Sequence, residues 1–132
     1  MNIKNGYLTD LHVHSVFSYD CEETTENYIR KAIERGNERI GFVQHYDYDC
    51  FLTGEKTSLC DLDAYKNEID RLRNVYGEKI KIFFGIEFGF DERTENRYAE
   101  LADKYKLDYV INSVHLVGGK DCCLNGCWEN RS

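Results

Sequence analysis

Residues 10–15 of the chain are Asp-Leu-His-Val-His-Ser, and this stretch decides both the predicted fold and the predicted site. On an extended strand, side chains alternate between the two faces, so Asp10, His12 and His14 are expected on one face. Leu11 and Val13 are expected on the opposite face, towards whatever covers the sheet. Two imidazoles and a carboxylate are typical ligands of zinc, iron or manganese. The alternative is a polar strand end that carries two surface histidines.

Length and charge narrow the classes of protein that this sequence can represent. At 132 residues the chain is expected to form a single domain. Its formal net charge of −7 argues against a nucleic-acid-binding surface, which needs a basic face. An acidic protein that acts on a phosphate needs bound cations or local Arg and Lys side chains to offset its charge.

No segment of the sequence predicts export or insertion into a membrane. The opening residues lack the apolar stretch of a secretory signal, and no apolar run approaches the ~20 residues that span a bilayer. The six cysteines are expected as reduced thiols in the cytoplasm. Cys122, Cys123 and Cys127 are close in sequence, but no second Cys pair or His completes a zinc-binding set.

Short apolar runs alternate with amphipathic segments, which predicts repeated βα units and a parallel sheet. A first helix is expected to be capped by Thr24 or Thr25 and to stop at Gly36, and a loop of about fifteen residues is expected after His45. The N-cap of the second helix is expected at Asp61. Strands are predicted at residues 7–14, 40–45, 81–87 and 109–115, and the second and third helices at residues 62–76 and 95–105.

Each predicted strand ends in residues that can bind a metal, and the chain's four histidines all lie at strand ends. Because sites of parallel α/β folds form at the carboxyl edge of the sheet, these side chains are expected to converge. The convergence predicts a metal site. Its candidate residues are His12, His14, His45, Glu87 and His115.

Taken singly, several of these residues have an ordinary structural alternative. Glu87 follows an apolar strand and would otherwise be a surface strand end, because a buried carboxylate needs a partner. Asp20 would more often be a turn residue. His45 would be a core histidine with satisfied hydrogen bonds. Ser15 and Ser18 are expected to form loop hydrogen bonds rather than to act as nucleophiles, since the pattern places no base beside them.

The motifs together resemble the polymerase and histidinol phosphatase (PHP) superfamily, in particular its histidinol-phosphatase branch. Asp-Leu-His-Val-His at residues 10–14 is similar to the family's first motif, and Phe-Ser-Tyr-Asp at residues 17–20 to the loop that follows it. Gly-Phe-Val-Gln-His at residues 41–45 resembles the second motif. Gly-Ile-Glu at residues 85–87 resembles the strand with a bridging glutamate, and Ser-Val-His at residues 113–115 the third motif.

The resemblance implies a fold and a set of ligands. The fold is α/β, the N-terminal part (about four βα units) of a distorted (β/α)7 TIM-like barrel. The cofactor is a trinuclear cluster of divalent metal ions, zinc, iron or manganese. Catalysis would depend on Asp10, a supporting or structural partner, and on His12, His14 and Glu87. The implied metal ligands are His12 and His14 on one metal, Glu87 bridging to a second that His115 also binds, and Asp20 and His45 on the third.

The resemblance also implies a reaction, the hydrolysis of L-histidinol phosphate to L-histidinol and phosphate in histidine biosynthesis. The substrate is a small-molecule phosphate ester, and neither nucleic acid nor a membrane is expected as a partner. Clustered divalent cations neutralise a phosphate dianion and lower the pKa of a bridging water towards ~7, which yields a hydroxide nucleophile. A phosphatase of this kind needs no Ser or Cys nucleophile.

We expect residues 1–132 to form a single partial PHP domain, without the C-terminal βα units that carry further Asp and His ligands and an Arg for phosphate. Two alternatives to the phosphatase are a truncated fragment that binds metal without turnover and a PHP phosphoesterase with another substrate. A PHP module of a DNA polymerase is disfavoured by the acidic charge. Open sheet edges leave self-association as an option.

Overall fold

Strands and helices alternate along the part of the chain that the computed structural model describes, residues 8–48, 57–90, 92–114, 116–117 and 120–121. The helices are α1 (Thr25–Glu34), α2 (Leu62–Tyr76) and α3 (Glu95–Tyr105), the last preceded by a short 3-10 turn, Glu92–Thr94. The strands are β1 (Thr9–Val13), β2 (Arg39–Tyr48), β3 (Thr57–Leu59), β4 (Lys81–Gly89), β5 (Tyr109–Ser113), β6 (Leu116–Val117) and β7 (Lys120–Asp121).

The main sheet is parallel and has the order β1-β2-β4-β5. This arrangement confirms the predicted α/β fold, in which α1, α2 and α3 lie between successive strands of the parallel sheet. One prediction was wrong, because the stretch after His45 is not all loop. β2 continues to Tyr48, and β3 pairs antiparallel with its end, so that Tyr46 lies opposite Leu59.

Helices α1 and α2 begin at the N-caps that the sequence predicts, and α1 ends at the predicted glycine. Of the two candidate caps of α1, Thr24 is the cap, and its side chain accepts a hydrogen bond from the backbone N–H of Asn27 at 3.2 Å. Asp61 caps α2 in the same way, accepting from Ala64 at 3.0 Å. Gly36 follows α1 with φ of +78°, a conformation that glycine adopts without strain.

One face of the sheet packs against the helices and forms the core. At the end of α2, Tyr76 packs against the core whereas Val75 is exposed. Burial of each large apolar side chain contributes about 1.5–3 kcal/mol, so this face supplies most of the stability. Its largest fully buried side chains include Ile29, Phe42, Tyr65, Ile69, Leu72, Phe84, Ile86 and Phe88.

The opposite face carries one tyrosine that crosses the sheet. Tyr109 of β5 lies over Gly41 and Gly85, where an added Cβ would come within 2.4 Å and 2.7 Å of its side chain. Its hydroxyl donates to the backbone carbonyl of Leu11 in β1 at 2.7 Å. In a flat sheet, strands three places apart are separated by about 14 Å, which a tyrosine side chain does not span. The sheet is therefore curled, as in part of a barrel.

Strand β1 contains an irregularity that the sequence did not reveal. Asp10 lies opposite Ile40 and Val13 opposite Phe42, so three residues of β1 face two residues of β2. The strict alternation predicted for residues 10–14 was therefore wrong. Leu11 does not share a face with Val13: its side chain lies over the position where Gly41 lacks a Cβ, whereas Val13 packs against the core.

The described chain also contains one pair of strands outside the main sheet. β6 and β7 pair antiparallel with each other. None of the helices in the described ranges has the length and apolarity that crossing a membrane requires.

Candidate metal centre

The carboxyl edge of the sheet gathers five of the six predicted metal ligands. Since β1, β2 and β4 run parallel, their carboxyl ends meet at this edge, and the loop from β1 to α1 folds over it. His115, the sixth, lies outside the described residues, and β5 ends at Ser113. The five that come together are His12, His14, Asp20, His45 and Glu87.

The first ligand group has two imidazoles and one carboxylate oxygen. Nε2 of His12 lies 3.0 Å from Oε2 of Glu87, and Nε2 of His14 lies 3.3 Å from the same oxygen. Around a tetrahedral zinc ion with bonds of ~2.0–2.2 Å, neighbouring ligand atoms are about 3.4 Å apart. The donor types and the two histidine–glutamate distances thus suit a divalent metal ion.

The second ligand group lies beside the first and shares His14 with it. It consists of His14, Asp20 and His45, whose candidate ligand atoms lie within 4.8 Å of one another. Nε2 of His45 is 3.2 Å from Oδ2 of Asp20, and the rings of His14 and His45 stack with centroids 4.4 Å apart. The two groups together could hold more than one ion, with His14 as a ligand of only one of them.

Glu87 is held as a carboxylate although only 5% of the residue is exposed. Burial raises its pKa, but hydrogen bonds from the Ser113 hydroxyl and from His12, together with the nearby histidines, outweigh burial and lower the pKa below its usual value. A buried anion that remains charged at neutral pH is suited to a cation ligand. This hydrogen bond was not identified from the sequence: Ser113 was part of a quoted motif, but no role was assigned to its hydroxyl.

His14 is held as a neutral imidazole. Burial lowers its pKa, and the positive potential of His45 lowers it further, against the opposing effect of Asp20 and Glu87. Metal ions bind the neutral imidazole. Together, an ionised Glu87 and a neutral His14 are in the protonation states that a metal centre uses.

Asp10 has a backbone role in β1. Its Oδ1 accepts a hydrogen bond from the backbone N–H of His12 at 3.1 Å. It belongs to neither ligand group among the residues that the structure describes. This hydrogen bond stabilises the irregular part of β1 next to His12. It agrees with the structural role that was one of the two roles predicted for Asp10.

A buried polar cluster lies behind the ligands. Gln44, fully buried, bonds the backbone and the hydroxyl of Ser15 and the hydroxyl of Ser18. Ser15 also accepts from Thr25, and Ser18 accepts from the backbone of His45. The prediction that the two serines form hydrogen bonds is confirmed. Gln44 was missed, although an amide inside an otherwise apolar strand is a signal that could have identified it.

A cavity of about 470 Å³ opens beside the ligands, between β1 and α1. His12, His14 and Asp20 line one part of it, and Lys31 and Arg35 line another. Lys31 lies in the last turn of α1 and Arg35 is its C-cap, so the basic part of the lining lies at the end of α1 that is away from the loop after β1.

Comparisons with known proteins agree with the geometry. The sequence model of the family described as the PHP domain matches residues 10–129. A histidinol-phosphatase of Lactococcus lactis subsp. lactis is 39% identical over 109 residues, 83% of this chain and 39% of that protein. A probable histidinol-phosphatase of Clostridium acetobutylicum is 33% identical over 112 residues, 85% of this chain and 41% of that protein.

A solved structure is also similar. The crystal structure of histidinol phosphate phosphatase from Lactococcus lactis subsp. lactis, complexed with zinc, L-histidinol and phosphate, matches with a TM-score of 0.76 and 38% identity. The match covers 84% of this chain and 41% of the solved chain. This chain thus spans about two fifths of the length of the relatives that it matches.

Proposed function

This chain belongs to the PHP domain family, and from that membership and the geometry of its carboxyl edge we propose a metal-dependent phosphomonoesterase. The observation that carries the proposal is the convergence of His12 and His14 on one carboxylate oxygen of Glu87. Two imidazole nitrogens and an ionised carboxylate are a ligand set for zinc, iron or manganese.

The proposed cofactor is a trinuclear cluster of divalent ions. His12 and His14 would hold one ion and Glu87 would connect it to a second, with His115 as a further ligand of that second ion. Asp20 and His45 would hold the third ion. The two adjacent ligand groups support more than one ion, and the zinc in the solved relative supports the choice of a divalent metal.

The proposed substrate is L-histidinol phosphate, which would be hydrolysed to L-histidinol and phosphate. Support comes from the names of the relatives and from the L-histidinol and phosphate in the solved relative. The cavity of about 470 Å³ beside the ligands has room for a small phosphate ester. We extend the proposal to histidine biosynthesis in the cytoplasm, and the net charge of −7 supports a small-molecule substrate rather than nucleic acid.

The side chains of this chain would bind, orient and hold charge in that reaction. When bound, divalent ions neutralise phosphate charge and acidify water. Ser113 keeps Glu87 ionised by donating a hydrogen bond, and burial keeps His14 neutral. Ser18 is engaged in hydrogen bonds to Gln44 and to the backbone of His45, which argues against a serine nucleophile. We propose catalytic roles for His12, His14 and Glu87, and a supporting role for Asp10.

Phosphate release by the full chain tests the proposal. The chain is first stripped of metal and then assayed on L-histidinol phosphate with added zinc, manganese or iron(II), against a blank of metal alone. Glu87→Gln removes the charge from the central ligand and is expected to abolish release. Glu100→Gln is the matched control, since it makes the same change on an exposed position of α3 and is expected to leave release unchanged.

Three other outcomes are distinguishable. Bound metal without release above the blank would rule out a phosphatase and leave a metal-binding domain. Release from other phosphate monoesters but not from L-histidinol phosphate would indicate a PHP phosphoesterase with another substrate. Equal release by wild type and Glu87→Gln would overturn the assignment of the site.

We also propose that copies of this chain self-associate through sheet edges. In the described sheet, β1 and β5 are the edge strands, and unpaired edges are templates for pairing. Sedimentation velocity over a hundredfold range of concentration is expected to show a dimer at the upper end. A monomer throughout would contradict this proposal and would leave the phosphatase proposal untouched.

A further inference from the structure

The side-chain amide of Gln44 lies at the centre of the buried polar cluster behind the metal ligands. Its Oε1 accepts from the backbone N–H of Ser15 at 2.9 Å and from the hydroxyl of Ser18 at 2.9 Å. Its Nε2 donates to the hydroxyl oxygen of Ser15 at 3.0 Å. Gln44 and Ser15 are fully buried, and Ser18 is 4% exposed. Water therefore does not compete for these hydrogen bonds.

The orientation of that amide is dictated by chemistry. A backbone N–H can only donate, so the atom that faces Ser15 N must be the acceptor oxygen of Gln44. With the amide turned by 180°, two N–H groups would face each other in a buried site. The oxygen of Gln44 is thereby fixed as the neighbour of the Ser18 hydroxyl.

The Ser18 hydroxyl has one hydrogen, and the Gln44 oxygen requires it. Ser18 Oγ also accepts from the backbone N–H of His45 at 3.0 Å. Its remaining contact is Nδ1 of His14, at 3.4 Å. Since Ser18 has no second hydrogen to donate, it faces His14 as an acceptor. A hydrogen in this contact belongs to His14 Nδ1. The competing acceptor is the Glu87 carboxylate, 3.3 Å from His14 Nε2, but its Oε2 is already hydrogen-bonded to Nε2 of His12 at 3.0 Å.

We propose that Gln44 and Ser18 are positioning residues that fix His14 in the tautomer with the proton on Nδ1. The lone pair then lies on Nε2, the atom that is 3.3 Å from Glu87. His14 is thereby assigned to the first ligand group, with His12 and Glu87, and has no lone pair on Nδ1 to offer to a second ion. This last consequence rests on the proposed metal centre, whereas the tautomer itself does not.

The tautomer is measured directly in the metal-free full chain. With ¹⁵N-labelled histidine at pH about 8, where imidazole is neutral, long-range ¹H–¹⁵N correlations identify the protonated nitrogen of each ring. Wild type is expected to show His14 protonated on Nδ1. Ser18→Ala removes the acceptor and is expected to shift His14 towards protonation on Nε2. Ser18→Thr keeps a hydroxyl and is expected to retain the wild-type tautomer.

Thr25→Val is the matched control. Thr25 donates to the Ser15 hydroxyl at 3.0 Å, at the far end of the same cluster. Its loss removes a buried hydrogen bond without touching Ser18 or His14. Thr25→Val is therefore expected to lower stability and to leave the His14 tautomer unchanged, which separates positioning from a general loss of structure.

Zinc affinity gives the second measurement. Removing a group that orients a metal-bound histidine typically weakens binding about 10–100-fold, and Ser18→Ala is expected to lose zinc affinity in that range while Thr25→Val does not. Protonation of His14 on Nε2 in the metal-free wild type would overturn the proposal, whether or not Ser18→Ala folds. So would an unchanged tautomer in a folded Ser18→Ala. Neither result depends on phosphatase activity, so the two proposals fail separately.

Discussion

The hydroxyl of Tyr109 donates a 2.7 Å hydrogen bond to the backbone carbonyl of Leu11 and so joins the two edge strands of the main sheet. The bond crosses β2 and β4 at Gly41 and Gly85, where the lack of a Cβ leaves room for the ring. Leu11 directly precedes His12, the first of the predicted metal ligands. The curl of the sheet and the position of one predicted ligand therefore depend on the same side chain.

Tyr109→Phe is expected to loosen β1 without disturbing the core. The loss of one hydrogen bond costs about 0.5–1.5 kcal/mol, and urea unfolding measures it. Because the lost bond anchors the backbone next to His12, zinc affinity should fall as well. An unchanged zinc affinity would show that the ligand is held in place without this bond.

Gly85→Ala is expected to be destabilising because its Cβ would lie 2.7 Å from the Tyr109 ring and 2.9 Å from Val43. Such overpacking typically costs about 1–3 kcal/mol. A double-mutant cycle with Tyr109→Ala tests whether the ring causes this loss of stability. Without the ring, Gly85→Ala should lower the free energy of unfolding by less than it does in wild type. Additive effects of the two substitutions would show that the ring is not the obstacle.

Tyr65→Phe tests the junction between α2 and the sheet. The buried Tyr65 hydroxyl contacts the backbone carbonyls of Phe42 at 2.9 Å and of Gly85 at 3.1 Å, in neighbouring strands. Its removal leaves buried carbonyls short of a donor, at a cost of about 1–3 kcal/mol in urea unfolding. Tyr105→Phe, which removes a surface hydroxyl bonded to Asp63, is the control and should cost less. Equal costs would contradict the role of burial.

Glu26 is expected to contribute stability that acid removes. Hydrogen bonds from Arg71, and then from Tyr76 and Arg30, lower its pKa from 4.5 to about 2. A lowered pKa in the folded state stabilises the protein above pH 4.5, and this contribution is lost as the pH falls from 4.5 towards 2. Glu26→Gln should therefore be less stable than wild type at pH 7. The difference between their urea midpoints should shrink at acidic pH, and a constant difference would contradict the assignment.

Local patterns predicted the helices well because their signals lie within a few residues. The bounds of α2 and α3 agree with the predicted ranges, and Thr24, Asp61 and Gly36 act at the helix ends as expected. The convergence of His12, His14, His45 and Glu87 was predictable for a different reason. Parallel strands bring their carboxyl ends to one edge, so residues distant in sequence could be placed together.

The remaining features depend on partners far away in the sequence. The irregular register of β1 exists only relative to β2, and no pattern within residues 9–13 indicates it. The pairing of β3 with β2 and the Ser113 hydrogen bond to Glu87 likewise join separate elements. Gln44 and its serine partners form a cluster whose hydrogen bonds require three-dimensional positions to recognise.

Zinc titration against a chelating dye measures whether His12, His14 and Glu87 bind a divalent metal ion, as we propose. Besides the wild type, it requires the His12→Ala/His14→Ala double variant and a variant with serine in place of Cys122, Cys123 and Cys127. The cysteine variant controls for zinc bound by thiolates, the other common zinc ligands.

Wild type and the cysteine variant are expected to bind zinc with similar affinity, whereas the histidine variant is expected to bind it at least about tenfold more weakly. Zinc binding that survives in the histidine variant and disappears in the cysteine variant would show that the cysteines, and not His12 and His14, hold the metal.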